Sequence, residues 1–213
     1  MRRTSHAAPI LVWVMLGAVL LALAATYARD PDPLRLLYAR TVSLVASGEY
    51  LPAAQFNPEA NVWQNWPLMM SRYSGNVGTS PPGMFMLYTA TSDFFEAVPA
   101  LADPLYRVLM PYQCFNYNLL DLSAARWASA WFGILTPLWA ALSVLPLYSI
   151  ARRAGGTSAA RYAVLLWALV PGMAIFATSS STFFPLIALL VQDSLERGLA
   201  HGLGVRRGRA WLV

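Results

Sequence analysis

The chain has 213 residues, 57% of them hydrophobic and only 12% charged, with a mean hydropathy of +0.47, whereas a water-soluble domain carries about twice that charged fraction. Its formal charge is +5 and all 15 basic residues are arginine; they flank apolar runs instead of forming one patch, which argues against a nucleic-acid partner and for a membrane topology signal. The one cysteine, Cys114, excludes an internal disulfide.

The first apolar run, Pro9 to Tyr27, holds 19 residues without a charge, close to the ~20 that a helix needs to cross ~30 Å of hydrocarbon. Arg2 and Arg3 precede it and place the N-terminus in the cytoplasm. Ala24-Ala25-Thr26 mimics a leader cleavage site, but the run exceeds the apolar stretch of a signal peptide, so an uncleaved anchor is favoured. A second run, Trp127 to Ile150, is uncharged for 24 residues and ends at Arg152 and Arg153, with Arg161 close behind. The third, Tyr162 to Ala177, and the fourth, Phe183 to Val191, are separated by the polar stretch Thr178 to Thr182. A hairpin of two helices is favoured there over one long broken helix, because Arg197, Arg206, Arg207 and Arg209 then reach the cytoplasmic side. His6 and His201 fall on the cytoplasmic flanks and read as solvated.

The expected fold class is therefore all-α: a polytopic transmembrane helical protein of the plasma membrane with spans at 9–27, 127–150, 162–177 and 183–195 and a long outer loop, 28–126. Eight of the ten acidic residues lie in that loop. The tail, Arg209-Ala210-Trp211-Leu212-Val213, reads as the basic flank and first residues of a further span, as if the sequence were the N-terminal part of a longer one.

The loop is too rich in Leu, Phe, Tyr and Trp for a linker, and it carries helix signals. Asp32-Pro33 supplies an N-cap and a first-turn proline, after which Leu34, Leu37, Tyr38 and Val45 share one face up to Gly48. Asp103-Pro104 repeats the device before Leu105 to Met110. Between them, Ser80-Pro81-Pro82 introduces a helix from Gly83 to Val98 whose Met84, Phe85, Tyr88, Phe94 and Phe95 are expected to anchor at headgroup level on the membrane. There is no phosphate-binding glycine loop, no His/Cys set at metal-ligand spacing and no nucleophile elbow.

Four elements in this order resemble the polytopic glycosyltransferases of the GT-C fold, which use lipid-phosphate sugars. They are the acidic element Asp30-Pro31-Asp32-Pro33 followed by Tyr38-Ala39-Arg40; Ser80-Pro81-Pro82-Gly83 with its aromatic helix; the span opened by Arg126 and closed by Tyr148-Ser149-Ile150-Ala151-Arg152-Arg153; and Ala159 through Pro171 with the Ser179 to Phe184 turn. Ser80 stands where many members carry His or Lys, and Thr182-Phe183 where many carry an Asp. The resemblance implies transfer of a sugar from a polyprenyl-phosphate donor to an outer-face acceptor. In it Asp32, ahead of Asp30, would act as the catalytic carboxylate, as a base or as holder of a divalent cation, while Arg72, Arg126 and Ser80 would meet the donor phosphate. No protein-only metal site is read. The alternative is a non-catalytic membrane scaffold or remnant; a transporter is disfavoured because only Asp193, near the end of the fourth run, is ionisable within a span.

Overall fold

A computed structural model describes residues 7–56, 62–73, 76–115 and 117–210; Arg2, Arg3, His6 and the Trp211–Val213 tail lie outside the described residues. The elements are α1 (Ala7–Tyr27), α2 (Pro33–Val42), α3 (Tyr50–Ala54), α4 (Val62–Met70), α5 (Asn76–Thr79), α6 (Gly83–Ala97), α7 (Pro99–Leu109), α8 (Ala124–Ala128), α9 (Trp131–Ile134), α10 (Thr136–Leu142), α11 (Val144–Ala168), α12 (Pro171–Ile175) and α13 (Phe184–Ala210). Short 3-10 turns occupy Met110–Phe115, Tyr117–Leu119 and Ser180–Phe183, and no strand occurs among the described residues. The chain is all-α, as its sequence predicts. It divides into two compact units: Thr26–Thr136 with Thr178–Ser180, called here the loop unit, and the stretches up to Ala25, Pro137–Ala177 and from Ser181 on, the helical unit.

In the helical unit α1 is a run of strong helix formers without a charge, and Trp13 and Leu20 stand 73% and 65% exposed. It is the one described helix that alone is long and apolar enough to cross a bilayer; Ala124–Ile134 and Thr136–Ala168 meet the same test only together, as a broken pair. The expected single span 127–150 is thus interrupted. The break falls at Leu135, two residues before Pro137, which brings no N–H for the Gly133 carbonyl; lesser interruptions fall at Ser129 and Ser143, whose hydroxyls donate back to the carbonyls of Arg126 (2.7 Å) and Trp139 (3.5 Å).

α11 is itself a hairpin. Gly156 takes φ 78°, ψ −172°, a left-handed conformation open to glycine and strained for any other residue. A straight helix would hold residues 140 and 167 about 40 Å apart, yet the Trp167 indole donates to the Ala140 carbonyl at 3.4 Å. Val144 and Tyr148 of the first arm share one buried cluster with Ala160 and Val164 of the second and with Val14 of α1. Beyond α12 and the Ser/Thr turn, α13 runs on without a break past position 195, where the fourth span was expected to end. Its apolar part stops at Val191, and Asp193, Glu196 and Arg197 follow. Arg153 near the hairpin tip pairs with Asp193 (2.7 Å) and Glu196 (2.8 Å), and Arg197 pairs with Asp193 at 2.8 Å and donates to the Ser149 hydroxyl at 3.0 Å.

In the loop unit α2 begins as predicted: Asp32 has extended φ/ψ, its side chain accepts from the Arg35 N–H at 3.0 Å, and Pro33 opens the first turn. The helix ends at Val42, short of Gly48. The Ser43 hydroxyl accepts from the Val45 and Ala46 N–H groups, and the Ser47 hydroxyl donates to the Arg40 and Thr41 carbonyls. These side chains compete with the helical ladder, and Val45, expected on the buried face, is 93% exposed. α6 follows Pro82 as expected, but Met84, Phe85, Tyr88 and Phe95 form the core of the unit instead of a headgroup anchor; Phe94 alone of those five is exposed. α7 starts at Pro99, with Asp103-Pro104 in its interior. Pro104 can sit there because it and Ala100, the carbonyl its missing N–H would have reached, are on an exposed face.

Candidate functional site

The acidic element following α1 folds into a small, fully engaged cluster. Asp30 Oδ1 accepts the Asp32 N–H at 2.9 Å, and its Oδ2 forms an ion pair with the Arg35 guanidinium. The Arg35 hydrogen bond, then the Asp32 amide, hold the Asp30 carboxyl below the usual carboxylate range. An acid so stabilised in its charged form is a poor acceptor for a further proton. Asp32 beside it is held from two sides: its Oδ1 caps α2, and its Oδ2 accepts the Tyr112 hydroxyl at 3.0 Å, from 80 residues further along the chain. Burial first, and then the neighbouring Asp32 carboxylate, push the Tyr112 phenol up from its ordinary value.

Tyr112 stands against the core. Its ring centroid lies 5.9 Å from that of Tyr38, which in turn stacks on Trp127 at 5.9 Å with 13° between the planes. Trp127 is 1% exposed and donates its indole N–H to the Leu119 carbonyl at 2.9 Å.

The other residues expected at the site make their contacts elsewhere. Arg126 points its Nε at Glu96 (3.6 Å), while its carbonyl accepts from the Tyr50 hydroxyl at 2.9 Å. The Ser80 carbonyl accepts the Trp66 indole N–H at 3.3 Å, and Arg72 is exposed, its N–H donating to the Met69 carbonyl at 2.9 Å. The cation that does meet the acidic element is Arg35, which motif reading passed over.

A divalent cation finds little room at Asp30 and Asp32. All four of their carboxylate oxygens face hydrogen-bond donors: two backbone N–H groups, a guanidinium and a phenol. Among the described residues no three His, Cys, Asp or Glu side chains come together as a metal site. The Arg35 guanidinium already stands where a cation would meet Asp30.

A second polar group was also missed. Glu49 is 8% exposed and accepts from the Ser180 hydroxyl at 3.4 Å, and burial raises its carboxyl above the usual range. Nothing in the sequence separates it from a solvated loop acid. Comparison with protein-family models, with curated proteins and with solved structures gives no match.

Proposed function

We propose that the chain belongs to a polytopic glycosyltransferase of GT-C type in the plasma membrane, which moves a sugar from a polyprenyl-phosphate donor to an outer-face acceptor. One observation carries this reading: two carboxylates stand three and five residues beyond the end of the apolar helix α1 at Tyr27. With α1 across the bilayer, Asp30 and Asp32 would stand at headgroup depth, where a lipid phosphate lies. The exposed apolar surface of α1 and the convergence of Arg153, Arg197 and their partners near the hairpin tip fit spans two to four with their basic flanks on one side.

In this reading Asp32 accepts the proton of the acceptor hydroxyl as that oxygen bonds the anomeric carbon. The anomeric C–O bond to phosphate breaks, and the electron pair leaves with the polyprenyl phosphate, an anion stable enough to depart without protonation. Arg35, salt-bridged to Asp30 and still half exposed, has donors to spare for phosphate oxygens.

The rival reading is a non-catalytic scaffold in which Asp32 is only a helix cap. Asp32→Asn separates the two, because asparagine caps a helix about as well but cannot take the proton. The full-length protein in proteoliposomes, given a panel of polyprenyl-phosphate sugars and membrane extract as acceptor, is expected to release polyprenyl phosphate. Asp32→Asn is expected to slow that release by roughly 100-fold or more. Equal rates for the two proteins would remove Asp32 as the base, and no turnover by the parent protein would leave the scaffold.

A further inference from the structure

A capping aspartate is ordinarily held at one oxygen only, and the terminal torsion of a carboxylate is broad and nearly two-fold, so the outer oxygen of such a group wanders. Asp32 is held at both. Oδ1 is fixed by the Arg35 N–H and Oδ2 by the Tyr112 hydroxyl, each at 3.0 Å.

The second donor is itself supported by the core. Tyr112 follows Pro111, its ring lies against Tyr38, and Tyr38 lies on Trp127, which like Tyr38 is no more than 2% exposed. Tyr106 closes the row with its ring edge on Trp127 at 5.7 Å. A hydroxyl delivered from a packed aromatic row is held by that packing, and a carboxylate needs such support if its remaining lone pair is to meet an incoming hydroxyl.

We propose that Tyr112 is a positioning residue of this site, its hydroxyl fixing the rotation of the Asp32 carboxylate so that the free lone pair of Oδ2 faces the acceptor. This rests on the transferase reading given above. Tyr112 makes no claim on the sugar; it acts through Asp32. Phenylalanine at this position keeps the ring on Tyr38 and removes the hydroxyl alone.

Two measurements test it together. In the polyprenyl phosphate release assay, Tyr112→Phe is expected to lower kcat by roughly ten-fold with KM within about two-fold, since the hydroxyl orders the base without binding substrate. In 19F spectra of the fluorotyrosine-labelled protein, the signal lost in Tyr112→Phe identifies Tyr112, whose titration is expected to fall in pH when Asp32 is changed to Asn.

A Tyr112 titration indifferent to Asp32→Asn means the contact does not exist, and the proposal is overturned. A responsive titration with unchanged kcat in Tyr112→Phe makes the contact structural and overturns the positioning role. A responsive titration in a protein that turns over no donor overturns the transferase reading, and the positioning role falls with it while the Tyr112 to Asp32 contact stands.

Discussion

Gly133→Ala tests how tightly the loop unit is packed. Gly133 is buried on α9 with ordinary helical φ, so alanine meets no backbone strain, and helix propensity alone favours it by about 0.5–1 kcal/mol. A methyl group there, however, would fall on the Tyr88 hydroxyl oxygen and come within 2.5 Å of Thr41 Cγ2 and 2.8 Å of Thr41 Oγ1. Neither neighbour can swing aside. Thr41 is 3% exposed and its hydroxyl donates to the Leu37 carbonyl, and the Tyr88 ring sits edge-on against Tyr50 at 5.5 Å and Phe132 at 5.4 Å. Overpacking of this kind costs about 1–3 kcal/mol, and with two rigid neighbours the upper part of that range applies, leaving a net loss of roughly 1–2 kcal/mol after the propensity gain. Tyr88→Phe removes one of the two clashes. Because the Tyr88 hydroxyl is buried without a hydrogen-bond partner, the single change is expected to be neutral or stabilising. The double variant should recover roughly 0.5–1 kcal/mol of the Gly133→Ala loss. Denaturant unfolding of the purified protein in detergent, followed by tryptophan fluorescence, measures all four corners of the cycle. A neutral Gly133→Ala, or a coupling energy of zero, would refute the packing read from the structure.

Two further outcomes follow from the buried acid and from the arrangement of the arginines. Glu49 faces Tyr88 from α6 and the Ser180 hydroxyl, and burial raises its carboxyl in the folded chain, so the folded state binds its proton more tightly than the unfolded state. Its contribution to stability is complete below the ordinary value of 4.5 and is lost as pH rises through the raised folded value. Thermal unfolding between pH 4 and 8 should show that decline in the parent protein and a flatter profile in Glu49→Gln, with the variant the more stable at pH 8; parallel profiles would refute it. In a Cys114→Ser background, Val45→Cys is expected to react with a membrane-impermeant maleimide on intact cells, and Arg161→Cys only after permeabilisation. The opposite pattern would overturn the orientation, and labelling of both on intact cells would overturn the multi-pass reading.

What the sequence made legible was local. The Asp32-Pro33 start of α2 and the Ser80-Pro81-Pro82 lead into α6 are each a few residues of chain whose chemistry decides the backbone nearby. The failures arose where a competing local bond or a distant partner decided. Ser43 and Ser47 ended α2 before Val45, and Pro99 served as helix start in place of the equally plausible Asp103-Pro104. The aromatics of α6 have the same composition whether they meet headgroups or a protein core, and only packing separates the two. At the site, Asp30 and Asp32 were legible as a motif, whereas Tyr112 and Glu49 draw their character from contacts 80 and 131 residues away.

The bond between Glu49 and Ser180 also sets an order of events in synthesis. The loop unit takes its last segment, Thr178–Ser180, from chain made long after the rest of it. A ribosome adding ~5–20 residues per second needs on the order of ten seconds to travel from Glu49 to Ser180. Over that interval the surface that Ser180 will cover stays open, so this half of the molecule reaches its final form only once both arms of the Gly156 hairpin have been made.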